Sequence, residues 1–450
     1  FCLSRGLGDV YKRQYNFILM KKNIGIIGVW HLGCVLSSCW SSLGHKVIGF
    51  DYDSKRIENL KKNIPPIFEP GLEESISQNS EKGLLSFSDN INDLKDCDFV
   101  FLTYDTPVRD DDSSDTSILE KSVNDVKSVM KNNSVLIVSS QSPVGYCSHL
   151  RKILKSQNNT LDIAYSPENL RLGEAIFCYM NPGRIILGTA DKTVEEKCIS
   201  LFSEITDNIL SMNLESSEMV KHGINSFLSM SIVYANNIAE ICEEKGADIT
   251  DVIKGIKSDD RIGTKAYLAP GIGFSGGTLG RDLKVLESAN NEGSGFADLF
   301  SFIHTSNSKR KNSIVSKIKK LLGGLNGKTI SVFGLTYKPG TSTLRRSLPL
   351  EIVDLLIAEG AVVNAYDPKA DYSELTSKPL FKICKSIEEA SENSDLMLIL
   401  TEWNDFKEFD WSKTLNTVKQ KYFFDTKNIS DKNKLTNLGF KLITLGRKYE

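Results

Sequence analysis

Short apolar runs alternate with longer mixed stretches from residue 23 onward, and their periods predict the elements. Asn23-Ile-Gly-Ile-Ile27 is a β-branched run that reads as a buried strand, and it leads straight into Gly28-Val-Trp-His-Leu-Gly33. Cys34 to Leu43 has the small and apolar content of a helix laid on a sheet. Gly44-His-Lys-Val-Ile-Gly-Phe50 then predicts a second strand that ends at Asp51. Strand, glycine turn, helix, strand and acid make a βαβ unit. Asp98–Thr103, Val135–Ser139, Asp162–Tyr165 and Arg184–Leu187 are further buried-strand candidates, so residues 20–210 are expected to form an α/β domain on a largely parallel sheet.

The texture changes after that. Glu215 to Gly246 holds no breaker except Gly223 and predicts one long helix, with Met219, Ile224, Phe227, Leu228 and Ile232 on its apolar side, suited to an interdomain or dimer spine. Helical pattern continues to about 320, interrupted by Pro270-Gly-Ile-Gly-Phe-Ser-Gly-Gly277. The α/β pattern then restarts with Lys328-Thr-Ile-Ser-Val-Phe-Gly334, a helix over 347–359, Ala361-Val-Val-Asn-Ala-Tyr-Asp367, Leu396–Leu400 and Tyr422–Phe424. The fold class expected is α/β, with two Rossmann-like domains (20–210 and 321–450) joined by a central helical domain (211–320). A ligand is expected in the crevice between the α/β domains, outside the carboxyl ends of the strands.

Composition narrows the partners. The 55 Lys and Arg nearly balance 57 Asp and Glu, for a net charge of −2, and neither sign forms a long block. That argues against nucleic acid and against electrostatic attraction to a membrane. No run reaches the roughly 20 apolar residues of a spanning helix. The nine cysteines are scattered without a CxxC or a His at ligand spacing, which points to reduced thiols in a cytoplasmic protein, with no disulfide framework and no metal site. Residues 1–19 have the interrupted texture of a non-native or disordered leader, with the chain proper expected from Met20.

The glycine turn departs from GxGxxG, since Trp30 stands where the middle glycine lets a pyrophosphate approach the backbone. Asp51 follows the second strand at the spacing of an acid that holds a ribose 2′-hydroxyl, which favours NAD over NADP. More specific is the ordered set Asp51-Tyr-Asp53, Pro66-Ile-Phe-Glu-Pro-Gly-Leu72, Thr106-Pro107, Ser140-Gln-Ser-Pro-Val-Gly145, Ser166-Pro-Glu-Asn-Leu-Arg-Leu-Gly173, Lys221 with Asn225, Asp260-Arg-Ile-Gly263, Gly271 to Asp282, Gly334-Leu-Thr-Tyr-Lys-Pro339 and Tyr366-Asp-Pro368. In this order the chain resembles the UDP-glucose/GDP-mannose dehydrogenase family over nearly everything after residue 22.

That resemblance implies an NAD-dependent enzyme that oxidises the C6 alcohol of a nucleotide sugar, paired as a homodimer or higher homo-oligomer through the long helix. It implies cofactor contacts at Gly28, Val29, Trp30, Leu32, Gly33, Asp51, Arg56, Thr106 and Pro107, with Arg345 from the C-terminal module. Substrate contacts are implied at Asn169, Leu170, Arg261, Gly273, Phe274 and Lys338. Lys221 and Asn225, four apart and so on one helical face, match the donors to a developing alkoxide. Asp282 matches the group that accepts the proton through a water, while Glu168 and Gln141 fall at positions that handle the hydrolytic water. Thr278 stands where the family has the cysteine that attacks the aldehyde, Leu172 replaces a second family Glu, Arg281 replaces a Lys, and Thr343 replaces an Asp. A threonine hydroxyl is a poor nucleophile without a strong base, so the second oxidation is expected to be slow or absent. Two other readings remain open: a non-catalytic relative that binds nucleotide sugars, and an enzyme that oxidises transiently, as in epimerisation.

Overall fold

The computed structural model describes residues 21–106, 115–156, 160–167, 170–275, 277–288, 298–375 and 377–448. They fall into two compact units, one ending at Glu218 and the other running from Met219. Residues 1–19 of the expected leader lie outside the described residues.

The first unit is an eight-stranded sheet. Its strands are β1 (Asn23–Ile27), β2 (Lys46–Phe50), β3 (Leu85–Ser88), β4 (Phe99–Leu102), β5 (Val135–Val138), β6 (Asp162–Tyr165), β7 (Ile185–Thr189) and β8 (Ile209–Met212), in the spatial order 3-2-1-4-5-6-7-8. All neighbours are parallel except β6 and β7, so the largely parallel sheet expected from the sequence is what forms. Alternation along the central strands sorts residues to two faces: Ile24, Ile26, Phe99 and Phe101 join the cluster around Trp40, while Ile27, Val100 and Leu102 join the cluster of Leu119, Val123 and Leu150. Chain order reverses between β1 and β4, which makes the carboxyl ends of those two strands the switch point where open α/β sheets take ligands.

The second unit carries a six-stranded, fully parallel sheet of order 11-10-9-12-13-14, built from β9 (Thr329–Phe333), β10 (Val362–Tyr366), β11 (Lys382–Ile383), β12 (Leu396–Ile399), β13 (Tyr422–Asp425) and β14 (Lys441–Thr444). Before it come the long helix Leu214–Lys245, then Ile249–Lys257, Gly277–Ser288 and Asp298–Leu322. Arg310, buried on the last of these, clamps three segments together. Its Nε donates to the Gly271 carbonyl at 2.9 Å and its Nη1 to Glu240, which also accepts from Lys317 at 2.9 Å.

Two sequence expectations need correction. Four strands, β3, β8, β11 and β14, have no counterpart among the predicted ones, and all four lie at sheet edges. An edge strand is half solvated, so it needs no continuous apolar run to mark it; Leu85–Ser88 alternates buried and exposed, and Lys382 and Ile383 are both exposed. The second correction concerns the long helix. Met219 and Phe227, expected on its apolar side, are exposed at 42% and 60% in the single chain, whereas Ser217, Lys221, His222, Asn225 and Ser229 are buried, so the side turned into the chain's own interior is here the polar one.

Candidate active site

The glycine turn after β1 is shaped by contacts that admit no side chain at its two ends. Gly28 has φ +96°, and a Cβ on Gly33 would sit 2.1 Å from the Gly28 carbonyl oxygen. Position 30 is different: Trp30 has φ −87°, outside the left-handed region that favours glycine, and its half-buried indole lies under the Arg56 guanidinium, 5.0 Å from the ring centroid. The side chains of Val29 and Leu32 belong to the core, so what they can offer a ligand is backbone. Asp51 closes the turn. Its carboxylate, 2% exposed, accepts from Val29 N at 3.0 Å, Asp53 N at 3.1 Å and Arg56 Nη1 at 2.7 Å. The fold therefore gathers Gly28, Trp30, Gly33, Asp51 and Arg56 at the carboxyl edge of the sheet. Thr106, after β4, donates through Oγ1 to the Gln141 carbonyl at 3.1 Å, which brings those two expected site residues together. Pro107, Glu168 and Asn169 lie outside the described residues. Leu170 packs half-buried against the core cluster of Val35, Cys39 and Ala175.

A second group forms within the other unit. On the long helix Lys221, His222 and Asn225 share the buried side, at 8%, 0% and 7% exposure. Asp282, from the helix Gly277–Ser288, has no exposed surface; its Oδ1 lies 2.8 Å from His222 Nδ1 and its Oδ2 accepts from the Asn225 amide. Lys221, Asn225 and Asp282 were expected from the motifs. His222 was not, although its spacing of three from Asn225 places both on one side of a helix and was the available signal.

Thr278 sits one turn before Asp282 on the same helix, and it is exposed. The loop leading there is fixed by Asn307, which accepts from Phe274 N at 2.9 Å and donates to Phe274 O at 3.0 Å. Gly273 has φ +111°, and a Cβ there would come within 2.5 Å of Asn307 Oδ1, so only glycine suits this clamp. Phe274 packs on Val233, Leu283 and Ile303 and also borders a cavity of about 280 Å³ whose charged lining is Lys311, Arg346 and Glu351. Arg261, by contrast, is a surface residue, 89% exposed, with its guanidinium on Asp259 at 2.7 and 3.0 Å. Arg345 is exposed and Lys338 half-buried beside the Tyr337 ring.

Cys147 does not offer itself in place of the cysteine that the resemblance implies at 278. It is fully buried, and burial, reinforced by the neighbouring Glu218 carboxylate, pushes its thiol well above the ordinary range. The eight cysteines among the described residues are all unbridged, and no group of three or more His, Cys, Asp or Glu among them could hold a metal ion. No helix among the described residues is long and apolar enough to cross a membrane.

Comparison with known proteins bears on both groups. Residues 22–206 match the NAD binding domain of the UDP-glucose/GDP-mannose dehydrogenase family, residues 215–309 its central domain and residues 331–432 its UDP binding domain. A UDP-glucose 6-dehydrogenase of Rickettsia bellii is 33% identical over 434 residues, covering 95% of this chain and all of the relative. The Bacillus subtilis UDP-glucose 6-dehydrogenase YwqF is 32% identical over 95% of this chain and 98% of its own length. Among solved structures, a UDP-glucose dehydrogenase from Pyrobaculum islandicum superposes with a TM-score of 0.84 at 23% identity, over 96% of this chain and 98% of that one. A UDP-D-ManNAc dehydrogenase from Pyrococcus horikoshii gives 0.85 at 24%, over 95% of this chain and the whole of the other. At such identities the solved structures speak for the fold alone.

Proposed function

Because the chain belongs to the UDP-glucose/GDP-mannose dehydrogenase family and is an NAD-dependent nucleotide-sugar dehydrogenase, we propose that it oxidises the C6 alcohol of a UDP-sugar such as UDP-glucose and releases the aldehyde rather than the carboxylate. The observation that carries the second half is Thr278, exposed in the first turn of its helix, at the position where the family resemblance places the cysteine nucleophile. In this reading residues 20–210 bind the cofactor, 211–320 supply the central helices and 321–450 take the nucleotide of the substrate.

The residues present fit a dinucleotide. Gly28 and Gly33 keep the two ends of the turn free of side chains, and Asp51 follows β2 where an acid meets a free ribose hydroxyl. When bound, NAD accepts the hydride that leaves the sugar carbon. Asp282 takes the hydroxyl proton through a water, its carboxylate held by Asn225 on one oxygen and by His222 on the other. Lys221 and the second N–H of Asn225 favour the alkoxide that develops as the hydride departs. Hydride can leave the aldehyde carbon only after a nucleophile adds to it, and Thr278 is not suited to that addition.

The assembly we propose is a homodimer in a cytoplasmic setting, where dispersed thiols stay reduced. Phe227, Tyr234 and Ile241, seven residues apart on one stripe of the long helix, are 60%, 47% and 53% exposed in the single chain, an apolar seam that a second copy would cover. Tyr234→Glu should shift sedimentation toward the monomer; an unchanged profile would place the contact elsewhere.

Product analysis with UDP-glucose and NAD tests the central reading. One NADH per sugar, with the aldehyde or its hydrate as product, is the expected result. Two NADH and the uronate, formed without a lag, would overturn the stop at the aldehyde; absence of any NADH would remove UDP-glucose as the substrate.

A further inference from the structure

Asp282 is the one carboxylate in the described catalytic group, and it is wholly enclosed. A buried carboxylate is costly unless its oxygens are hydrogen-bonded and its charge balanced. Asn225 satisfies Oδ2. At Oδ1 the partner is His222 Nδ1, 2.8 Å away, on an imidazole that is itself fully buried. A carboxylate that serves as proton acceptor can itself only accept, so on the proposed reading of Asp282 the hydrogen in that contact belongs on Nδ1.

The arrangement is more specific than core filling requires. His222 follows Lys221 directly and precedes Asn225 by three residues, and all three side chains lie on the buried side of one rigid 32-residue helix. His222 thus bonds the same carboxylate as Asn225 from the neighbouring position on that side. Together the two donors leave Asp282 no freedom to turn about its own side chain, and a proton acceptor works only in a fixed orientation.

We propose that His222 is a positioning residue for Asp282: its Nδ1–H holds the carboxylate in the orientation that receives the substrate proton. This rests on the reading of Asp282 as the proton acceptor. The role is carried by a nitrogen donor at the Nδ1 position, which an Asn side chain can nearly reproduce and an apolar ring cannot.

The test uses the full-length chain with NAD and UDP-glucose, comparing the parent with His222→Phe and His222→Asn. His222→Phe should lower kcat about tenfold to a hundredfold, the span of a lost charge-assisted hydrogen bond, with KM for UDP-glucose moving less than about threefold. His222→Asn should recover a large part of that loss. A folded His222→Phe that keeps kcat within about twofold, or that changes KM alone, overturns the proposal, as does an Asn variant no better than Phe. Nitrogen-15 histidine spectra of the parent decide it without turnover: His222, assigned by its absence in the variants, should carry its hydrogen on Nδ1 and shift in Asp282→Asn, and an unprotonated Nδ1 refutes the role. A parent that makes no NADH would sink the functional reading while these spectra still decide the placement of His222.

Discussion

Thr278→Cys is a small structural change with a large chemical one. The side chain is exposed at the second residue of the helix Gly277–Ser288, so no packing is lost and stability should change by no more than about 0.5 kcal/mol. A thiol of ordinary acidity, near 8.5, is roughly one quarter thiolate at pH 8. Two features raise that share: the first turn of a helix favours an anion, and Arg281 lies three residues on, on the same helical side. If together they lower the thiol by about one unit, roughly three quarters is thiolate at pH 8. A threonine hydroxyl in that place offers essentially no alkoxide. The assay is NADH formed per UDP-glucose consumed, with the product identified by mass and the acyl-enzyme trapped by hydroxylamine. The variant should move from one NADH to two and yield a trappable thioester. A variant that is alkylated by iodoacetamide, yet still stops at one NADH, would show that something other than residue 278 blocks the second oxidation.

Two further outcomes follow from the first unit. Trp30→Gly should tighten NAD binding in calorimetry by about 1 kcal/mol, roughly fivefold in Kd, since the pyrophosphate regains a close approach to the backbone; weaker binding would mean that the indole and Arg56 form part of the cofactor surface. Asp162 is buried, which alone would raise its carboxyl, yet Arg151 at 2.6 and 2.9 Å and Lys155 at 2.7 Å outweigh burial and hold it below the ordinary value. A lowered carboxyl stabilises the fold above its unfolded value, near 3.9, and that contribution disappears as pH falls through the folded value. Asp162→Asn should therefore cost about 1–2 kcal/mol at pH 7, discounted for partly exposed partners, with the gap from the parent closing below about pH 4. Thermal melts whose separation does not change with pH would contradict this.

What the sequence made legible follows burial. Central strands such as Phe99–Leu102, buried at every position, announce themselves as apolar runs, and the glycine turn is marked by Gly28 and Gly33, whose places no other residue can take. Edge strands lack that signature and went unseen. At the site, Lys221, Asn225 and Asp282 were found by resemblance, and the fold groups Asn225 and Asp282 in direct contact with each other. The position of Arg56 over Trp30 was out of reach, because it depends on a helix start after β2 packing back onto the turn after β1. His222 was overlooked for a different reason: a histidine beside a lysine reads as an ordinary polar face until its burial is known.

The long helix shows why that polar face matters. A helix that only braced the fold would bury Phe227 and Tyr234 and leave lysine, histidine and asparagine in water, since unpaired polar groups in the interior cost free energy. Here the order is reversed: Lys221, His222, Asn225 and Ser229 are inside, and the aromatic rings are out. In the proposed reading the buried groups serve the chemistry and a second copy covers the exposed stripe. The substitutions at expected catalytic positions divide along the same line. Lys221, Asn225 and Asp282, which the alcohol step asks for, are retained and locked in mutual contact or on a shared buried side, while Thr278 and Leu172, at positions the aldehyde step asks for, carry no nucleophile and no carboxylate. Loss of function by drift would not respect that boundary, because a buried cluster with one member changed leaves the others unsatisfied at a cost of about 1–3 kcal/mol each. The proposed enzyme, confined to the first oxidation, would account for both the intact cluster and the altered helix start, and the NADH stoichiometry of Thr278→Cys tests that boundary.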